Sequence, residues 1–70
     1  MKLREYLKRN KLTQQAFIDR IDMAKGVKVP QSTLAKWVTG VRVPRKKDME
    51  ILHSVSSGQV QPNDFYNLED

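Results

Sequence analysis

The sequence contains no cysteine, so neither a disulfide framework nor a thiolate metal site is available to hold a fold together. That absence accords with a reducing compartment. No apolar run approaches the roughly 18 residues of a membrane span, and the opening stretch MKLREYLKRN is too charged to hold a signal-peptide core. A cytoplasmic protein with no membrane partner is therefore expected. Glycine occurs only three times, and there is neither a phosphate-cradling glycine loop nor a nucleophile motif. Seventy residues also leave no room for a pocket-sized core, so no enzymatic activity, cofactor or small-molecule ligand is expected. His53 has no second His or Cys with which to form a ligand set, so no metal site is expected either. The chain makes one domain, residues 1–70, and at this size folding buries only about 60% of the surface exposed by the unfolded chain. Stability is marginal on that count, and a partner subunit would help.

Acidic residues are scarce in the first two thirds of the chain. Residues 1–47 hold all 13 Lys and Arg against three acids, Glu5, Asp19 and Asp22. Residues 48–70 hold five acids, Asp48, Glu50, Asp64, Glu69 and Asp70, and no Lys or Arg. The formal net charge of +5 thus conceals a basic body and an acidic end. Such asymmetry favours a polyanionic partner, nucleic acid or an anionic membrane surface; the plainer alternative is a solvated surface with uneven ends.

Hydrophobic spacing reads as short helices separated by turns. Leu3, Tyr6 and Leu7 fall at i, i+3, i+4 and suit a first amphipathic helix over 2–9, closed by Asn10 and Lys11. Thr13 stands as N-cap before a second helix over about 14–22, burying Phe17, Ile18 and Ile21. The helical period breaks over 23–29, which reads as a loop with Gly26 as its flexible point and a short extended piece at Val27 to Val29. Pro30 opens a third helix over about 30–39, where its missing N–H does no harm, and Gly40 stops it. Pro44 opens a fourth helix through about Val55, with Met49, Ile51, Leu52 and Val55 apolar. Asp48 and Glu50 near its start complement the helix dipole better than they make a catalytic pair. In the acidic C-terminal segment, 59–70, Pro62 starts a final short turn of helix in which Phe65 and Leu68 can cover the core. The fold class expected is all-α, a compact bundle of about five short helices.

The third helix carries the most informative face. At 100° per residue, Leu34, Trp37 and Val38 share one side, and Gln31, Ser32, Ala35, Lys36 and Thr39 share the other. Trp37 reads as core. Solvated helix faces are usually rich in Glu, Lys and Arg, whereas short amides and hydroxyls allow close approach and bond to base edges in a major groove.

Three stretches and the tail carry a family resemblance: Leu12-Thr13-Gln14-Gln15-Ala16-Phe17, then Gln31-Ser32-Thr33-Leu34-Ala35-Lys36-Trp37, then Gly40-Val41-Arg42-Val43-Pro44, with Val60-Gln61-Pro62-Asn63-Asp64-Phe65-Tyr66 last. In this order they resemble the phage Cro/repressor-type, or XRE-type, helix-turn-helix family of DNA-binding proteins, and together they cover most of residues 3–68. The resemblance implies a lambda-repressor-like fold and a sequence-specific regulator of transcription. With no activation or effector domain in the sequence, it would repress by occupying an operator on double-stranded DNA, as a phage or prophage repressor does. It also implies a homodimer, at least on DNA, bound to a near-palindromic operator, and a cytoplasmic protein associated with the nucleoid. Two dimer surfaces are candidates, the tail around Phe65 to Leu68 and the loop around Val41 and Val43.

By position, the resemblance makes residues 30–39 the recognition helix. Gln31, Ser32, Ala35 and Lys36 then face bases, Gln as a partner for adenine, Lys for guanine and the Ala methyl for thymine. Gln14 would donate to a phosphate at the start of helix two, and Thr33, Arg42, Arg45 and Lys46 would bind backbone on either side. The departure from the family is local. About six more residues separate Ile18 from Leu34 than the family's tight turn requires, Ile18 replaces a small residue where the helices cross, and Asp22 replaces the turn glycine. Helices two and three are then further apart or differently angled. The enlarged turn adds Lys25 and Lys28, which either reach a flanking phosphate or are solvated. Two other function classes stand beside this one. An antitoxin or protein-interaction module would use the acidic, aromatic tail (Phe65, Tyr66, Leu68); a single-strand or RNA binder would need exposed aromatics, which this pattern places mostly in the core.

Overall fold

A computed structural model of the chain describes residues 1–66, the last of them by its backbone. The expectations for the Tyr66 ring, Leu68, Glu69 and Asp70 lie outside the described residues. Five helices run in order, α1 (Leu3–Arg9), α2 (Gln14–Lys25), α3 (Gln31–Thr39), α4 (Lys46–Val55) and α5 (Asn63–Tyr66), with no strand among the described residues. The all-α class follows, and the extended piece expected at Val27 to Val29 forms no sheet.

Each helix turns its apolar stripe inward. Leu3, Tyr6 and Leu7 of α1, Phe17, Ile18 and Ile21 of α2, Leu34 and Trp37 of α3, and Met49 and Leu52 of α4 are buried, joined by Val29, Val60 and Phe65. α2 packs on both α3 and α4, and α1 packs on α3. The Tyr6 and Phe17 rings meet edge to face with centroids 5.8 Å apart, a geometry worth about 0.5–1.5 kcal/mol beyond area burial.

The helix ends are set by local hydrogen bonds. The Thr13 hydroxyl accepts from the Ala16 N–H at 3.0 Å, as its N-cap position requires. At the end of α1 the Asn10 amide donates to the Tyr6 carbonyl at 2.8 Å. Lys11 then turns left-handed, and the Lys11 and Leu12 N–H groups close onto the Lys8 and Leu7 carbonyls. Ser56 ends α4 fully buried, with its hydroxyl donating to the His53 carbonyl and accepting from the Val60 N–H at 2.9 Å. A buried hydroxyl satisfied in both directions fixes the turn that brings Val60 into the core.

Three boundaries differ from the sequence expectation. α2 runs to Lys25, so the expected loop over 23–29 begins only at Gly26. Met23, Ala24 and Lys25 break the apolar period because the last turn of α2 overhangs the core, leaving Met23 90% exposed, but they are adequate helix formers with no breaker among them. The left-handed stop of α2 is Gly26, at φ 67°, whose N–H bonds back to the Asp22 carbonyl. α2 is thus about one helical turn longer than the expected 14–22, and the connection to α3 is confined to residues 26–30. Pro30 is the N-cap of α3 rather than its first residue; it is extended at φ −63°, ψ 143°, and its carbonyl accepts from Leu34. Likewise α4 starts at Lys46 with Arg45 as N-cap, and Pro44 is buried in the extended segment before it. A φ fixed near −65° suits extended backbone as well as helix.

Candidate nucleic-acid interface

α3 is anchored by Leu34 and Trp37, both buried, and by Val38, half-buried. This orientation leaves Gln31, Ser32 and Lys36 exposed, with Thr33 and Ala35 half-buried at the margins. Among the described residues the side chains of Gln31, Ser32 and Lys36 make no hydrogen bond or ion pair. Thr39, on the same side, bonds its hydroxyl to the Ala35 carbonyl at 2.9 Å and is committed to its own helix.

The segment after α3 folds back on it. Gly40 is left-handed at φ 82°, its N–H bonds to the Trp37 carbonyl at 3.3 Å, and the Arg42 N–H bonds to the Lys36 carbonyl at 3.2 Å. These bonds satisfy carbonyls that a helix end leaves unpaired and hold residues 40–43 against the C-terminal end of α3. One consequence is a shallow depression of about 140 Å³ lined by Thr33, Trp37, Arg42, Val43, Arg45 and Asp48. Three of the expected backbone-contacting residues, Thr33, Arg42 and Arg45, thus meet at one place.

The other candidates do not join them there. Lys46 lines a separate cleft with Met49, Glu50, His53 and Pro62. Lys25, the last residue of α2, and Lys28, on the connection that precedes α3, are exposed at the helix end opposite Arg42. Gln14 is half-buried at the first position of α2. Two residues that sequence reasoning did not assign come into view instead. Lys2 and Arg4 share a second depression, of about 230 Å³, with Thr39, Gly40, Arg42 and Asp64. The sequence signal was the cationic face of the first helix, but its approach to the end of α3 is a tertiary fact.

Charge compensation is sparse on this side. Among the described residues the ion pairs are Arg9 to Glu5 at 3.4 Å and the Met1 ammonium to Asp64 at 2.9 Å. Burial acts to raise the Asp64 pKa, but hydrogen bonds from the Gln61 N–H and the Met1 ammonium, with the charges of that ammonium and Lys2, outweigh it and hold the carboxyl below its ordinary value. Asp64 is therefore an ionised, occupied acceptor. Arg45, Lys46 and Lys47 sit at the N-terminal end of α4, where the helix dipole disfavours cations, with Asp48 alone to offset them and no side-chain cap.

No family model, curated protein or solved structure matches the chain. Among the described residues no helix is long and apolar enough to cross a membrane, and no group of three or more His, Asp or Glu is placed to hold a metal ion.

Proposed function

We propose that the chain is a sequence-specific double-stranded DNA-binding regulator of transcription with a helix-turn-helix of enlarged turn, acting as a Cro-like repressor by occupying its operator. The observation that carries this reading is the division of α3. Leu34 and Trp37 fix the helix in the core, and the opposite face offers Gln31, Ser32 and Lys36 with no internal partner, directly beside a depression ringed by Thr33, Arg42 and Arg45. Base-reading groups flanked by phosphate-binding cations are what a major-groove helix needs. In this reading Ala35 offers its methyl at the edge of that face, Gln14 donates to a phosphate beside α2, and Lys46, Lys25 and Lys28 are peripheral backbone contacts. The unfavourable placing of Arg45, Lys46 and Lys47 on the α4 dipole supports the same conclusion, because a bound polyanion relieves it.

The protein acts as a homodimer on a near-palindromic operator, since one short recognition helix gives limited affinity. Of the two candidate dimer surfaces, the loop offers Val41, 75% exposed, and Val43, 39% exposed, as apolar groups for the subunit contact, whereas Phe65 of the tail is 9% exposed and already part of the core. The same burial takes Phe65 out of the aromatic surface that the alternative, an antitoxin or interaction module, would use. Selection of bound duplexes from a random pool, followed by a salt titration on the winner, tests the proposal. It predicts a palindromic consensus and a steep fall of affinity with salt; failure to enrich any sequence overturns it.

A further inference from the structure

The depression shared by Lys2, Arg4 and Arg42 has no place in the contacts assigned so far. Its cations come from two elements far apart in sequence, and among the described residues none of the three is ion-paired. Glu5, the acid beside Arg4, is turned to Arg9. Among the described residues the one carboxylate in the depression, Asp64, accepts from the Met1 ammonium and from the Gln61 N–H, both at 2.9 Å, so it is already compensated. The concavity is left with an excess of positive charge against walls that include Leu3, Trp37 and Phe65, and low-dielectric walls concentrate such a field. It also shares Trp37, Arg42 and Val43 with the depression that holds Thr33 and Arg45, so the two lie side by side across residues 42–43. Val43, 39% exposed, stands between them as an apolar surface.

We propose that this depression is a second phosphate seat, in which Arg4, with Lys2, holds the backbone phosphate next along the same DNA strand from the one held by Arg42 and Arg45, with the intervening sugar against Val43. The proposal rests on the DNA-binding reading above. It extends the footprint from the helix-turn-helix pair to the first helix and makes Arg4 a positioning residue, without base preference.

The test is a salt titration of duplex binding by the wild-type chain, Arg4→Ala, Arg4→Gln and Arg20→Ala, the last removing an exposed cation of α2 outside both depressions. The slope of log affinity against log salt becomes shallower in both Arg4 variants by about 0.9 per bound protomer, the share of one phosphate contact, and so by about 1.8 for a dimer, equally on preferred and random duplexes. Arg20→Ala keeps the wild-type slope, and thermal melts of all four proteins coincide within a few degrees. Arg4→Lys restores the slope, because charge rather than shape is what the seat supplies. Wild-type slopes in both Arg4 variants overturn the second seat and leave the Arg42 and Arg45 site standing. Absence of duplex binding by the wild-type chain overturns both.

Discussion

The two connections that flank α3 begin alike and end differently. Residues 26–30 and 40–45 each start with a left-handed glycine, Gly26 at φ 67° and Gly40 at φ 82°, and at both an added Cβ would meet nothing within 4 Å. Backbone conformation, not space, is what each glycine provides. Beyond that point the first connection turns inward, burying Val29 and leaving Lys28 outside. The second turns outward, leaving Val41, Arg42 and Val43 exposed and setting Arg42 between two depressions. Two valines after the first glycine, Val27 half-buried and Val29 buried, serve the fold, and the two after the second, Val41 and Val43, are left to the surface. In the proposed reading the first connection tethers α3 to the core and the second presents Arg42 beside it.

That contrast can be broken by matched substitutions. Val29→Ala removes two buried methyl groups and should destabilise the fold by about 2 kcal/mol, lowering Tm by roughly 10 °C in a domain of this size. Val41→Ala should stay within about 0.5 kcal/mol of wild type. Equal melts for the two variants would erase the distinction between an inward and an outward connection. Next in size, Gly26→Ala and Gly40→Ala should each lose about 1 kcal/mol to the left-handed conformation in thermal unfolding. Only Gly40→Ala should also weaken duplex binding at a temperature where both variants are folded, because residues 40–43 carry the presenting loop. Smallest is Lys46→Glu, which should gain about 0.3–1 kcal/mol of stability by complementing the α4 dipole while lowering duplex affinity. A gain in both stability and affinity would remove Lys46 from the backbone contacts.

What the sequence made legible is what local rules govern. The alternation of Leu34 and Trp37 against Gln31, Ser32 and Lys36 is visible in helical spacing alone, and the structure divides the helix the same way. The Thr13 cap and the Gly40 stop were legible for the same reason, being determined by side chains within a turn of the boundary. The α2 boundary was not, because Met23, Ala24 and Lys25 extend a helix past the core it packs on, and apolar periodicity is silent where there is nothing to bury. The start of α4 was misplaced because proline fixes φ without fixing ψ. Among the candidate site residues, Thr33, Arg42 and Arg45 line one depression and Lys46 lines another, a grouping that helical spacing alone does not give. Arg4 was invisible as a neighbour of Arg42 because only the packing of α1 on α3 brings the two together.

In the proposed reading the exposed face of α3 reads bases and the loop after it holds backbone. The most direct measurement is the affinity of Lys36→Ala and Arg42→Ala for the selected duplex and for random duplex at one fixed salt concentration. Lys36→Ala should lose about 1–3 kcal/mol on the selected duplex and far less on random DNA, with relaxed preference at one position per half-site, whereas Arg42→Ala should lose the same amount on both. Equal loss on selected and random DNA for Lys36→Ala would contradict the account.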